Sequence, residues 1–497
     1  MQNLHDTTAI KRFLDSPVDR ATLGLVYGRR RIGKSTMMAH LCRETGGFYW
    51  EASRGEQGVQ LARLGDALGA HLGVGPIRLG NWDDAITQLL RIPARTGSQH
   101  IGVPVVLDEF GYLLESDPTL DSTIARLLGP GQRMAATATT AAHTRLILCG
   151  SAMALMRRLT DGQAPLRGRA ALELVMHPLN FRRAAELLGG NYTPSLAARV
   201  WSVIGGVVGY ATDMVDDDLP RDANDFTRWI TQRVMSPASP LFHEAITLLA
   251  EDPTLAAANP SLHHSILGVI ANGAVTAGTI ANALRRQVPA FDPSLKRLIA
   301  TGFVTRHEDP LRGRRPMYAL TDPFLQFHYA VLEPHATTLR SRALRDLWEH
   351  RLQSVFDARV RGPVFEEQAR SWVRLFADPQ TLGGEPDQIG PSWVKVDGVD
   401  HEVDMVVTTA PEAAHAVDVR ESGVARQVLC IGEAKSGETM DVSHLRQLER
   451  ARQAMGTAAV QAKLLLFAPA FTPDLIRTAG ARPDVELVDL DRLYDGA

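Results

Sequence analysis

Residues 28–35 read Gly28-Arg29-Arg30-Arg31-Ile32-Gly33-Lys34-Ser35, which fits the phosphate-binding pattern G-x-x-x-x-G-K-[ST]. Each residue type has a physical task there. Gly28 and Gly33 let the backbone turn tightly and aim its N–H groups inward. Those groups, with the positive end of the following helix, hold phosphate oxygens. Lys34 supplies a point charge near the β and γ phosphates, and the Ser35 hydroxyl is placed to ligate Mg²⁺. Average residue usage gives roughly 0.02 such strings by chance in a chain this long. The flanks agree with the motif. Leu23-Gly24-Leu25-Val26-Tyr27 is an apolar run that predicts a buried strand, and Thr36-Met37-Met38-Ala39-His40-Leu41 predicts an opening helix. The candidate nucleotide contacts therefore run from Gly28 to Thr36.

The remaining composition excludes several classes. A length of 497 residues predicts about three domains. Apolar content of 45% and charged content of 22% fit a soluble globular protein. A net charge of −3 gives no global field toward nucleic acid, so any such contact must come from local patches. Cys42, Cys149 and Cys430 lie far apart in apolar segments. They fit neither a disulfide framework nor a zinc site and suit a reducing cytoplasm. The N-terminal stretch Met1–Lys11 is polar and lacks the apolar core of a signal peptide. No apolar run is long enough to span a bilayer, so no membrane partner is expected.

Two further strands complete a nucleotide site. Val103-Pro104-Val105-Val106-Leu107-Asp108-Glu109-Phe110 is an apolar run ending in two carboxylates. Downstream of a phosphate loop, Asp108 reads as the residue that holds Mg²⁺ and Glu109 as the one that orients the attacking water. Arg145-Leu146-Ile147-Leu148-Cys149-Gly150-Ser151 is an apolar strand that ends in a hydroxyl where a γ-phosphate sensor would lie. A plain helix cap at Ser151 reads equally well. Strands alternating with helices, such as the stretch Val59–Leu72, imply an α/β layer with ligand at the carboxyl ends of a parallel sheet.

With Gly28–Ser35, the Val-Val-Leu-Asp108-Glu109-Phe run and Leu-Ile-Leu-Cys-Gly150-Ser151, the chain resembles the archaeal and bacterial P-loop ATPases of the AAA+/STAND grouping. Pro165-Leu166-Arg167-Gly168-Arg169 followed by Leu174–Leu179 resembles them too. The resemblance implies ATP and Mg²⁺ as cofactors. It also implies an arginine after the third strand that contacts nucleotide in cis or from a neighbouring copy, which allows a homo-oligomer. Arg167 and Arg169 are the candidates, with solvated loop arginines as the alternative. Phe13-Leu14-Asp15-Ser16 does not match the Phe-x-x-Arg-Glu-like box of that family, which leaves base choice open.

Residues 181–255 read as helices and resemble the lid of the same family. Leu262–Ala271, Thr276–Arg285 and Pro293–Thr301 read as three helices, followed by two short strands, Phe303–Arg306 and Met317–Leu320. Three helices and a hairpin make a winged helix-turn-helix. Its basic turn, Arg312-Gly313-Arg314-Arg315, and its Lys296 and Arg297 are the candidate nucleic-acid contacts. The alternative is a winged helix that packs on protein.

In the last third, Glu402-Val403-Asp404-Met405-Val406-Val407 and Val428-Leu429-Cys430-Ile431-Gly432-Glu433-Ala434-Lys435 read as neighbouring strands. Strand alternation puts Glu433 and Lys435 on one face, both within reach of Asp404. The combination resembles a PD-(D/E)xK nuclease, a domain that often follows ATPases of this family. By that resemblance Asp404 and Glu433 bind Mg²⁺ with Glu366, or Glu367, from a preceding helix, and Lys435 orients water. Such domains can also be retained for binding alone.

The sequence thus predicts a P-loop ATPase core over residues 1–185, a helical lid over 186–255, a winged helix over 256–332 and a restriction-endonuclease-like α/β domain over 333–497. The function expected is Mg²⁺-dependent ATP binding and hydrolysis whose nucleotide state controls a winged-helix and nuclease-like module acting on DNA. The alternative is a nucleotide-switched regulator with a catalytically silent third domain, or an ATP-dependent DNA-binding protein.

Overall fold

The computed structural model describes residues 2–17, 20–93, 102–129, 143–189, 192–312, 315–340, 343–410 and 426–497. The chain forms two compact units. The first is Met1–Leu179 with Val207–Gly209 and Asp252–Thr254; the second is Asn180–Gly206 with Tyr210–Glu251 and Leu255–Ala497.

The first unit is built on five parallel strands, β1 (Thr22–Tyr27), β2 (Phe48–Glu51), β3 (Val103–Asp108), β4 (Thr144–Gly150) and β5 (Ala170–Val175), in the order β2-β3-β4-β1-β5. The central strands β1, β3 and β4 are buried along their whole length. They are covered on both faces, so their sequences are continuous apolar runs instead of alternating ones. Leu23, Leu25, Phe48, Trp50, Leu64, Trp82, Val105, Leu107, Leu146 and Leu148 share one core. Because β4 lies between β1 and β3, the carboxyl ends of the three buried strands converge, and everything the site needs is carried there.

Two features of this unit are not legible in the sequence. The edge strand β5 is half-buried and follows the arginine loop directly. It fixes Gly28: the Met176 N–H donates to the Tyr27 carbonyl at 2.7 Å, and a Cβ at position 28 would lie 2.3 Å from the Met176 oxygen. The second feature is Arg145, a fully buried guanidinium on β4. Its Nε donates to the Phe13 carbonyl (3.2 Å), Nη1 to Arg20 (3.1 Å) and Nη2 to Ser16 (2.7 Å). It thereby ties the N-terminal helix Gln2–Leu14 and the chain after it to the sheet. Arg145→Met keeps most of the bulk but strands three carbonyls. It is expected to cost about 3 kcal/mol of stability, read as a lowered denaturant midpoint at unchanged slope. A midpoint equal to wild type would show the network to be dispensable.

The second unit contains three helices, Pro260–Ala271, Ala277–Leu284 and Val288–Ala300. The antiparallel hairpin β6 (Val304–His307) and β7 (Met317–Leu320) follows. The third helix starts at Val288, earlier than the sequence predicts: Gln287 is extended, Pro289 sits in the first turn, and Pro293 lies inside the helix. A five-stranded sheet follows, ordered β14-β12-β10-β9-β8, from β8 (Gln388–Val396), β9 (Val399–Thr408), β10 (Val428–Ala434), β12 (Lys463–Phe467) and β14 (Val485–Val488). The pairs β8–β9 and β9–β10 are antiparallel, and β10–β12 and β12–β14 are parallel. The short strands β11 (Thr439–Met440) and β13 (Ala470–Phe471) pair separately.

The helices Phe181–Leu187 and Pro194–Ile204, in the stretch that resembles a lid, join the core of this sheet. Phe181, Ala197 and Ala198 share a cluster with Phe365, Trp372, Met405, Phe467 and Tyr494. Arg182 anchors the contact, donating to the Leu493 carbonyl at 2.9 Å and stacking 3.8 Å from the Phe376 ring centre. The β6–β7 hairpin lies against β8. Ser392 Oγ donates to Asp309 Oδ1 at 2.7 Å, Trp393 Nε1 to Met317 Sδ at 3.4 Å, and Leu311 packs on the core around Val394 and Val403. Among the described residues no helix is long and apolar enough to cross a membrane, and Cys42, Cys149 and Cys430 are buried and free.

Candidate nucleotide site and acidic cluster

The loop between β1 and the helix Lys34–Thr45 turns through two left-handed residues, Arg31 (φ 64°) and Gly33 (φ 91°). Gly33 has open space around its missing Cβ, so conformation and not crowding calls for glycine there. Lys34 is buried, and its Nζ donates to the Arg29 carbonyl at 2.6 Å across the loop. Burial pulls its ammonium below the ordinary value, against the charges of Glu109 and Asp108. An anion in the loop would reverse that shift. Arg30 Nη2 donates to the Tyr112 hydroxyl at 3.2 Å. The Arg31 carbonyl accepts from the Gly209 N–H at 2.9 Å, which brings the segment Val207–Gly209 onto the loop.

At the end of β3, Asp108 is fully buried. Its Oδ1 accepts from the Glu109 N–H and its Oδ2 from the Tyr49 hydroxyl, both at 2.8 Å. Burial, with the Asp108 carboxylate beside it, pushes the Tyr49 phenol far above its usual range, so it stays a donor. Glu109 has a left-handed backbone (φ 49°, ψ 46°), a strained state for a residue with a Cβ, and such states collect at functional sites. The turn aims its side chain at the end of β4, where the Ser151 hydroxyl donates to Glu109 Oε2 at 3.0 Å. Cys149, two residues earlier, is pushed well above its thiol value by burial and by Asp108, and stays neutral. The structure thus brings Lys34, Asp108, Glu109 and Ser151 together. The Ser35 hydroxyl and Asp108 are hard oxygen donors of the kind Mg²⁺ takes, so the residues present fit that ion. Arg167 and Arg169 are exposed and bonded to carbonyls of their own loop, those of Gly162 and Pro165.

In the second unit Asp404 and Glu433 come from adjacent strands, one step along from the Met405–Gly432 pair. Asp404 Oδ2 accepts from the Ala434 N–H at 2.8 Å, and Lys435 Nζ pairs with Glu433 Oε1 at 2.5 Å. The helix Gly362–Leu375 brings Glu366 alongside. Burial, then the Glu433 charge, raises Asp404 to about 7; burial, then Asp404, raises Glu366 to about 8. Against burial, Asp404 and Glu433 raise Lys435, which is held as a charged donor. Hard carboxylates under mutual repulsion fit a divalent cation chemically. Among the described residues, however, no three His, Cys, Asp or Glu side chains gather closely enough to form a ligand set.

Arg370, absent from the sequence expectation, organises this cluster. Its buried guanidinium donates to Glu367 Oε2 at 2.8 Å and to the Asp404 carbonyl at 2.6 Å, with Glu366 at 4.0 Å. Glu367 also faces His307 of β6 at 3.8 Å, so it serves the hairpin contact while Glu366 faces Asp404. A cation one helical turn after two glutamates was the available signal. Of the nucleic-acid candidates, Arg312 and Arg315 are exposed, Arg314 lies outside the described residues, and Lys296 pairs with Asp292 at 2.8 Å beside Arg297.

No family model matches the chain. The uncharacterized protein MJECL04 of Methanocaldococcus jannaschii is 22% identical over 380 residues, covering 76% of this chain and 78% of the relative. Among solved structures, the Walker-type ATPase PABY2304 of Pyrococcus abyssi is similar at 17% identity with a TM-score of 0.46, covering 66% of this chain and 95% of that one. The ORC2 protein of Aeropyrum pernix, solved as ADPNP and ADP complexes, is similar at 16% identity with a TM-score of 0.42, covering 68% and 93%.

Proposed function

We propose that the chain is a Mg²⁺-dependent ATPase whose nucleotide state controls a nucleic-acid-directed second unit. The observation that carries the reading is the convergence of Lys34, Asp108, Glu109 and Ser151 at the carboxyl ends of adjacent parallel strands, beside a loop with the phosphate-binding backbone. The loop N–H groups and Lys34 bind the phosphates. Ser35 and Asp108 would hold Mg²⁺, which would offset charge on the β and γ oxygens. Glu109, oriented by Ser151, accepts a hydrogen bond from water and aligns it with the γ phosphorus. Contact between Val207–Gly209 and the loop is a route by which phosphate state reaches the chain leading into the second unit.

For the second unit, Asp404, Glu433, Glu366 and Lys435 supply the donors that phosphodiester hydrolysis uses, with Lys435 placed to offset charge at the scissile phosphate. The switched-regulator reading is favoured by one observation: among the described residues the acidic side chains are not gathered into a ligand set. One experiment separates the two. Plasmid and single-stranded DNA are incubated with Mg²⁺, with and without ATP, using wild type, Lys34→Ala and Asp404→Ala, and phosphate release is read in the same tubes. Phosphate release lost in Lys34→Ala together with cleavage lost in Asp404→Ala supports the full proposal. Phosphate release with no cleavage by wild type leaves the regulator. No phosphate release by wild type sinks the ATPase.

A further inference from the structure

The strand β2 carries a group that no nucleotide motif names. Its residues alternate Phe48 and Trp50 into the core with Tyr49 and Glu51 on the other face. Parallel register pairs Tyr49 with Val106 and Glu51 with Asp108. Tyr49 therefore starts two residues short of Asp108, about 6.6 Å of strand rise, which a tyrosine hydroxyl can span and a shorter polar side chain cannot. It does span it: the hydroxyl donates to Asp108 Oδ2 at 2.8 Å.

We propose that Tyr49 is a positioning residue of the ATPase site, orienting Asp108, a side chain that would ligate Mg²⁺. The proposal rests on the ATPase reading above. Asp108 has a donor on each oxygen, the Glu109 N–H on one and Tyr49 on the other. Its plane is thereby fixed, and each oxygen keeps a further lone pair for an ion or its water. The Glu109 N–H belongs to the backbone and cannot be tuned. Tyr49 supplies the other constraint, reaching Asp108 from the neighbouring strand β2. Groups that orient metal ligands in this way typically change metal affinity or activity 10–100-fold on removal.

Tyr49→Phe deletes one oxygen and keeps the ring. A fluorescent ADP analogue is titrated into wild type and variant in EDTA, then Mg²⁺ is titrated into each complex. The expected result is ADP affinity in EDTA within twofold of wild type, and a Mg²⁺ midpoint raised about tenfold. A midpoint within twofold of wild type overturns the proposal. Failure of wild type itself to bind ADP would instead overturn the ATPase reading on which it rests. A purely structural tyrosine is separated by a double-variant comparison. With Asp108→Asn already in place, adding Tyr49→Phe should move the Mg²⁺ midpoint less than twofold. A second tenfold shift would mean that Tyr49 acts through something other than Asp108. The same comparison applies if Tyr49→Phe proves unstable, since the thermal midpoint of the Asp108→Asn protein reports whether the loss follows Asp108 or the ring.

Discussion

Glu109→Gln is expected to cut ATP turnover by about 10²–10³-fold while leaving ATP binding within a few fold of wild type. Gln is isosteric and its amide oxygen can still accept from Ser151, so the side chain keeps its place. What is lost is the negative charge that aligns and polarises water, an interaction made with the transition state more than with bound ATP. Lys34→Ala should differ in kind. It removes charge that both ground state and transition state feel, so binding itself weakens. Single-turnover phosphate release and equilibrium binding of labelled ATP, measured on the same preparations, separate the two effects. Turnover by Glu109→Gln within tenfold of wild type would mean that another group positions the water. Ser151→Ala should sit between, losing about tenfold, because Glu109 keeps its charge and loses only its orientation.

The candidate nucleotide site is readable in the sequence to the degree that its parts are local. Gly28–Ser35 is one contiguous string, and Asp108, Glu109 and Ser151 sit at the ends of apolar runs whose length and composition announce buried strands. Tyr49 was invisible because its role depends on which strand lies beside β3 and in what register, which no single segment encodes. Arg145 was hidden for a related reason. At the head of the run Arg145–Ser151 it reads as an ordinary first strand residue, whereas its partners are carbonyls far away in sequence. The same limit applies to the helices after β5. Their amphipathic pattern shows that one face is buried and is silent about the surface that covers it; the second-unit core does. The β6–β7 hairpin likewise shows basic residues in its turn, while Asp309, Leu311 and Met317, which hold it on β8, look like ordinary loop and strand positions. In the acidic cluster, alternation along β10 placed Glu433 and Lys435 correctly on one face. Arg370 went unread because a buried guanidinium on an amphipathic helix has the same sequence signature as a solvated one.

The acidic cluster makes the other large prediction, in stability instead of rate. Asp404, raised to about 7, and Glu366, raised to about 8, bind protons in the folded state that the unfolded chain releases near its ordinary carboxyl values. Folded protein then holds more protons between roughly pH 4 and pH 8, so this contribution to stability falls as pH rises through that window. Above it both groups are ionised beside Glu433, Asp404 buried and Glu366 half-buried, and the full penalty applies. Asp404→Asn removes one of these charges and keeps an oxygen for the Ala434 N–H. It is expected to stabilise the metal-free protein by about 2 kcal/mol at pH 8.5, with the gain shrinking as pH falls and reaching zero only below about pH 4. Denaturant midpoints of both proteins in EDTA across that range measure it, and a variant that is less stable than wild type at pH 8.5 would refute it. Magnesium supplies the complementary arm. A cation that neutralises the cluster should raise the wild-type midpoint at pH 8.5, do little at pH 5 where protons already neutralise it, and do less for Asp404→Asn. Because the first unit is proposed to hold an ion of its own, the comparison is made in the Lys34→Ala background without nucleotide, where a difference made by adding Asp404→Asn reports on the second unit. Equal responses to Mg²⁺ in the two proteins would show that the cluster takes no cation and would move the second unit from catalysis to recognition.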